Sequence, residues 1–155
     1  PDASKFVISP NAYNPRTTEF AAYQMGYSTP IFSPTGGMKI SAKDLATYMM
    51  MHANYGKYNG VRVISKKSSK LMQTAVSDIE PYGFALETPG SIIDGQKMIG
   101  HTGSAYGLFS AMFFNPKEKY GIVVISNGCH PGEASGYNNV IRKAVNALYE
   151  NLIAN

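Results

Sequence analysis

The sequence predicts an α+β domain: an antiparallel sheet with flanking helices, and a C-terminal amphipathic helix across one sheet face. Three observations carry this. Helical patterns come first, strand patterns next and a helix last, without the alternation that a parallel βαβ sheet requires. Two apolar segments, residues 108–114 and 121–126, are joined by the short turn Asn115-Pro116-Lys117-Glu118-Lys119, which reads as a hairpin. Finally, Ile141, Val145, Leu148 and Leu152 recur at helical spacing with Ala144 beside them, while Arg142, Lys143 and Glu150 fall off that stripe.

At 155 residues the chain is long enough for one domain with a real core. Hydrophobic residues make up 44% and charged residues 15%, a globular balance rather than a disordered one. The formal net charge of +4 is mild, and the lysines are scattered among acids. Without a concentrated basic stripe or a recognisable module, nucleic acid is not the expected partner. The single cysteine, Cys129, excludes an internal disulfide, and no Cys/His set has metal spacing, so neither a metal nor a cofactor is expected. No run reaches the roughly 18 apolar residues of a membrane-spanning helix. The chain opens Pro1-Asp2, with no leader pattern, and is expected to be a piece of a longer polypeptide. Its compartment is unknown from its own ends.

Residues 1–34 hold Pro10, Pro15, Pro30 and Pro34 among many Asn, Ser and Thr, and read as a loop-rich lead-in. Its tyrosines and phenylalanines, Tyr13 to Phe32, are expected to pack that lead-in onto the core. Residues 35–155 form the α+β part. A turn at Pro34-Thr35-Gly36-Gly37 leads to Ser41, a helix cap whose hydroxyl accepts from the amide of Asp44. Asp44 in return is expected to reach the Ser41 amide, with Ile40 and Leu45 as a hydrophobic staple. Leu45, Met49 and Ala53 share the inward face, and Met49-Met50-Met51 reads as core filler. The helix should end near residues 54–56, where Gly56 supplies a left-handed cap.

Tyr58-Asn59-Gly60 reads as a turn before a short extended piece, residues 61–64. Ser65 is expected to cap a second helix running to about Val76, with Leu71, Met72 and Ala75 inward. Lys66 and Lys67 in its first turn oppose the helix dipole. Residues 82–87 read as a strand, and Asp94-Gly95 as a hairpin turn between Ile92-Ile93 and Lys97-Met98-Ile99. The last helix is expected over residues 135–153.

The stretch with the most chemical character is Gly100-His101-Thr102-Gly103-Ser104-Ala105-Tyr106-Gly107. Glycine beside hydroxyl residues at a strand end lets a ligand lie against the backbone, because no Cβ blocks the approach. A nucleophilic hydrolase needs an activated Ser, Cys or Thr with a base and an oxyanion hole. The sequence has no Gly-x-Ser-x-Gly elbow, no Ser-x-x-Lys pair and no phosphate-binding glycine loop. Tyr137-Asn138-Asn139 spells Tyr-x-Asn but falls at the start of the last helix, where a chance match explains it. Asp78 and Glu80 read as a solvated turn.

From Pro34 onward the chain resembles the C-terminal part of serine β-lactamase-like and penicillin-binding-protein-like hydrolases, the class C type in particular. The signposts come in order. They are Thr35-Gly36-Gly37-Met38 with Ser41-Ala42-Lys43-Asp44-Leu45, then Gly60-Val61-Arg62-Val63-Ile64-Ser65, then Tyr82-Gly83-Phe84. Residues 100–107 resemble the family's third motif, in its His-Thr-Gly variant of Lys-Thr-Gly. Phe114-Asn115-Pro116, residues 121–127 and the last helix match the family's segments C-terminal to that motif.

The resemblance implies a partial β-lactamase/transpeptidase-like fold and roles on one strand. His101 would set the electrostatics near the nucleophile as a catalytic residue. Thr102 and Gly103 would bind substrate, Thr102 by hydrogen bonding and Gly103 by close approach. Ser104 would offer its backbone amide to the oxyanion hole. In the family, the active serine with its lysine and the Tyr-x-Asn motif precede the segment that Pro1 begins. The chain is therefore expected to be a fragment, inactive alone, of an enzyme acting on a small ester, peptide or β-lactam. Class C enzymes commonly carry an Arg after the Asn127 position; here Pro131 is followed by Gly132-Glu133-Ala134-Ser135. That departure, with His101 for Lys, puts an esterase or D-alanyl carboxypeptidase at least level with a β-lactamase. The resemblance also suggests a periplasmic or extracytoplasmic setting, and self-association or pairing with the missing N-terminal part along an open sheet edge. Two rival readings are a non-catalytic binding or interaction domain that kept the fold, and an anion- or nucleic-acid-binding module at residues 100–107.

Overall fold

A computed structural model describes residues 38–77, 79, 81–105, 108–129 and 132–154. The lead-in 1–34, the Gly36-Gly37 turn, Asp78, Glu80, Tyr106, Gly107, His130 and Pro131 lie outside the described residues. The elements are α1 (Ala42–Ala53), β1 (Lys57–Tyr58), β2 (Val61–Arg62), α2 (Lys66–Met72) and β3 (Glu87–Gly90). They continue as β4 (Met98–Ala105), β5 (Leu108–Asn115), β6 (Tyr120–Ser126), β7 (Glu133–Ala134), β8 (Tyr137–Asn138) and α3 (Asn139–Leu152). The main sheet is antiparallel with strand order β3-β4-β5-β6, and two small hairpins, β1-β2 and β7-β8, stand apart from it. The α+β expectation holds.

The sheet is covered on both faces, and β5 shows why. Its side chains alternate, so successive residues serve different cores. Met112 and Phe114 pack with Met49, Ala53 and Leu86 on the α1 face. Ala111 and Phe113 pack with Met98, Ile122, Ile141 and Val145 on the α3 face. The alternation that places a helix on each face thus also sorts every β4 residue, since directly paired residues share a face. Cys129 is buried in the α3-side core.

The helix starts follow their caps. The Ser41 hydroxyl accepts from the Asp44 amide at 3.1 Å. The reciprocal contact differs from expectation: the Asp44 carboxylate accepts from the Ser41 hydroxyl at 2.7 Å, not from its amide. One hydroxyl therefore accepts and donates, and completes the cap alone. Ile40 is exposed, while Leu45 packs against the α1-side core. Met49 and Met51 are buried, and Met50 faces outward. After Asn54 the chain turns left-handed at Tyr55 and Gly56, and a Cβ on Gly56 would sit 2.3 Å from the Ile64 carbonyl oxygen. His52 is buried between Tyr48 and Phe114, and burial pushes its imidazole below the ordinary value, toward the neutral form.

Four stretches depart from the sequence reading. Helix α2 ends at Met72 rather than near Val76, and Leu71 and Ala75 are exposed. Met72 packs against the α1-side core as expected, while the buried positions, Ser69 and the C-cap Gln73, are polar. The cause is competition for hydrogen bonds. The Met72 carbonyl accepts from the Phe84 amide at 3.2 Å, and the Val76 amide donates to the Tyr82 carbonyl at 2.9 Å. A continuing helix would join Val76 to Met72 instead. The same exchange turns residues 82–86 into a tight bend, where the Gly83 amide donates to the Leu86 carbonyl at 2.7 Å. Only Tyr82 bridges to Glu87, and the strand itself begins at Glu87. The Asp94-Gly95 turn is present, but it connects β3 to β4 through buried Ile92 and Ile93, which are not strand residues. Lastly, α3 begins at Asn139 rather than Ser135. Ser135 and Gly136 both take positive φ, which closes the two-residue β7-β8 turn, and Asn138 becomes the cap.

Candidate functional site

The candidate site lies on β4. Strand β3 pairs with β4 only as far as Gly100, through Glu87. On its other side β4 pairs with β5 continuously from Ile99 to Ala105. Beyond Gly100 the β3-side edge of β4 therefore has no strand partner among the described residues. All four sequence-predicted residues, His101, Thr102, Gly103 and Ser104, fall on this half-free stretch. Their amides alternate in direction along a strand, so those of Thr102 and Ser104 address the same edge.

Side chains alternate too, and the register divides the four residues between faces. His101 pairs with Met112 and Gly103 with Ser110, which puts both on the α1 face. Thr102 pairs with Ala111 and Ser104 with Phe109, which puts both on the α3 face. His101, Thr102 and Ser104 are exposed, and Gly103 is half-buried. The hydroxyls of Thr102 and Ser104 have no hydrogen-bond partner among the described residues. The structure thus gathers the four residues on one strand end while sending the imidazole and the Thr102 hydroxyl to opposite sides of it.

The two glycines have different reasons. A Cβ on Gly100 would sit 2.0 Å from the Met112 carbonyl oxygen and 2.7 Å from the Phe113 Cα. Gly100 is therefore required by sheet packing, and no ligand need be invoked for it. A Cβ on Gly103 would meet only the Ser110 side chain, its hydroxyl at 2.6 Å. That neighbour is the end of a small side chain rather than backbone, so the constraint at Gly103 is softer than at Gly100, and a group approaching Gly103 on that face meets the Ser110 hydroxyl.

One contributor carried no signal in the sequence beyond its place in Tyr82-Gly83-Phe84. The Tyr82 ring stands edge-on to His101, with centroids 5.6 Å apart and planes at 88°. Its position follows from the bend at residues 82–86: Tyr82 bridges Glu87, and Glu87 pairs with Gly100, one residue before the histidine. Burial first, and the Glu87 carboxylate second, raise the Tyr82 phenol above its ordinary value, so it stays protonated. The imidazole Nδ1 of His101 contacts the Thr102 carbonyl oxygen.

Tyr137, the tyrosine of the Tyr-x-Asn spelling, lies elsewhere. It is buried against Phe113 in the α3-side core. Its hydroxyl donates to the Glu87 carboxylate and accepts from the Ser91 amide at 3.0 Å. It clamps β3 to the start of α3, a structural task. Among the described residues no three His, Cys, Asp or Glu side chains converge as metal ligands would. No described helix is long and apolar enough to cross a membrane.

The arrangement offers a strand edge with backbone donors, a free hydroxyl, a glycine without a Cβ and an imidazole beside it. It can align a polar substrate and stabilise negative charge on it, but these four residues include no base-activated nucleophile. No curated protein and no solved structure matches the chain significantly. The model of the Beta-lactamase family matches residues 4–147, and the chain belongs to that family.

Proposed function

We propose that the chain supplies the substrate-aligning wall of a serine hydrolase that works through an acyl-enzyme. The observation that carries this reading is the half-free edge of β4, with His101, Thr102, Gly103 and Ser104 in succession beyond the last β3 pairing. In such a reaction a serine oxygen attacks the substrate carbonyl carbon, and negative charge collects on the carbonyl oxygen. The Ser104 amide donates one hydrogen bond to that oxyanion, and the nucleophile's own amide donates the other. Thr102 holds the polar end of the substrate, and Gly103 admits it close to the strand. The tetrahedral intermediate expels the alcohol or amine, and water later releases the acid from the serine.

The nucleophile is assigned to polypeptide outside these 155 residues, because no Ser-x-x-Lys pair occurs in them. The chain alone is accordingly inactive, and it pairs with the segment that carries the serine. The substrate is a small ester, a D-amino-acid peptide or a β-lactam. His101 in the lysine position and Gly132-Glu133-Ala134-Ser135 without an arginine favour the first two. Hydrolysis of an activated ester and of a chromogenic β-lactam, measured for the chain and for the longer polypeptide, tests the reading. Ester turnover by the longer form and none by the chain is expected. Turnover by the chain alone would overturn the assignment of the nucleophile. An inactive longer form that still binds such ligands would make this a binding domain.

A further inference from the structure

A carbonyl oxygen accepts hydrogen bonds and cannot donate one. The contact between His101 Nδ1 and the Thr102 carbonyl is therefore a hydrogen bond only in the tautomer that carries its proton on Nδ1. In the neutral ring Nε2 is then left with its lone pair, and it has no partner among the described residues. The ring is exposed, so rotation would break this contact unless something held it. Among the described residues, the ring packed against it is Tyr82, in a T-shaped contact at 88°. Tyr82 is itself fixed by its bridge to Glu87 and by its carbonyl, which accepts from the Val76 amide at 2.9 Å. The nearest charge in this chain of contacts is the Glu87 carboxylate, which Tyr137 occupies as a donor.

We propose that Tyr82 is a positioning residue that holds His101 as its Nδ1–H tautomer, so that the site presents an imidazole lone pair at Nε2. What Nε2 then takes is a hydrogen-bond donor, the hydroxyl or N–H of a nucleophile or substrate. A substrate carboxylate finds no donor there while the ring is neutral, which leaves carboxylate recognition to Thr102 or to nothing. This use of Nε2 rests on the hydrolase reading above; the tautomer itself rests only on the geometry.

The experiment is long-range ¹H–¹⁵N correlation on the uniformly labelled 155-residue chain, recorded across a series of mildly alkaline pH values. The His101→Gln chain assigns the signals among the three histidines. The expected pattern for His101 is a protonated, pyrrole-type Nδ1 and an unprotonated, pyridine-type Nε2. Tyr82→Phe keeps that pattern, because the contact is between the rings and the hydroxyl makes no hydrogen bond to His101. Tyr82→Leu keeps apolar bulk without the ring, and both nitrogen shifts move toward exchange-averaged values. A protonated Nε2 in the unsubstituted chain would overturn the tautomer. An unchanged pattern in Tyr82→Leu would overturn the role of Tyr82. Neither outcome depends on turnover, so a failure of the hydrolase reading shows separately, in the ester assay of the longer polypeptide.

Discussion

At the scale of single residues, Ser104 separates a backbone role from a side-chain role. Its hydroxyl is exposed and bonded to nothing described, while its amide shares an edge with that of Thr102. On the hydrolase reading proposed above, Ser104→Ala in a longer polypeptide that carries the nucleophile should leave ester turnover nearly intact. A general acid, a base or a nucleophile at that hydroxyl would cost on the order of 10²-fold or more, and a loss of that size would refute the amide assignment. Tyr137 gives a prediction for stability. Burial, then the hydrogen bond to Glu87, pushes its phenol up to about 12 from the ordinary 10.0. The folded state thus holds this proton more tightly than the unfolded chain does. Its contribution is complete below about pH 10 and declines as pH rises from there to about 12, by at most about 3 kcal/mol. Other tyrosines are raised as well, so the measurement is the difference between the chain and Tyr137→Phe in denaturant unfolding across that range. The difference should be about 1–3 kcal/mol at neutral pH, where Ser91 loses its acceptor, and should shrink toward alkaline pH. A pH-independent difference would show that the phenol is not protected.

At the scale of elements, the start of α3 is the point where sequence and structure diverge most usefully. The Asn138 side-chain oxygen accepts from the amides of Val140 at 3.1 Å and Ile141 at 3.2 Å. Asn138→Ala should cost about 1 kcal/mol, read as a lower denaturant midpoint, whereas Ser135→Ala should cost far less as a cap. Equal costs would favour the longer helix. The caps at Ser41 and Ser65 and the stripe at Ile141 and Val145 were legible because each is a local rule, satisfied within a few residues. The ends of α2 and the bend at residues 82–86 were not, because they depend on partners distant in sequence. Thr88 donates to the Gln73 carbonyl at 3.0 Å and Phe84 takes the Met72 carbonyl, contacts that no periodicity encodes. The Ser135-Gly136 turn did leave a signal, a two-residue small pair between short extended pieces. The apolar stripe of the following helix outweighed it. For the site, the motif gave the strand and the order of its residues. It gave neither the division of His101 and Thr102 between faces nor Tyr82, since both follow from register and from that same bend.

At the scale of the whole molecule, the sheet stops at β6, which has no outer partner among the described residues. The edge is uncharged and apolar, with no proline or lysine to discourage a second strand. Beside it runs an open groove of about 690 Å³, lined by Val124, Ile125, Ala144, Leu148 and Leu152. Leu152 is 73% exposed, although it belongs to the stripe that buries Ile141 and Val145. The helix is therefore amphipathic over a longer face than this sheet can cover. In the hydrolase reading, polypeptide carrying the nucleophile completes that face. In the isolated chain a second copy can take its place. Antiparallel β6-β6 pairing centred on Val123 sets Ile122 against Val124 and Gly121 against Ile125, which keeps each residue on its own face. No like charges meet across such a seam. The expected outcome is concentration-dependent self-association in light scattering. Ile125→Lys should abolish it by placing a charge on the edge, and Leu152→Glu should weaken it at a position exposed enough to leave the fold intact. A monomer that persists at high concentration in the unsubstituted chain would show that the edge is blunted without a partner strand. The groove would then have to be covered by residues of the chain itself.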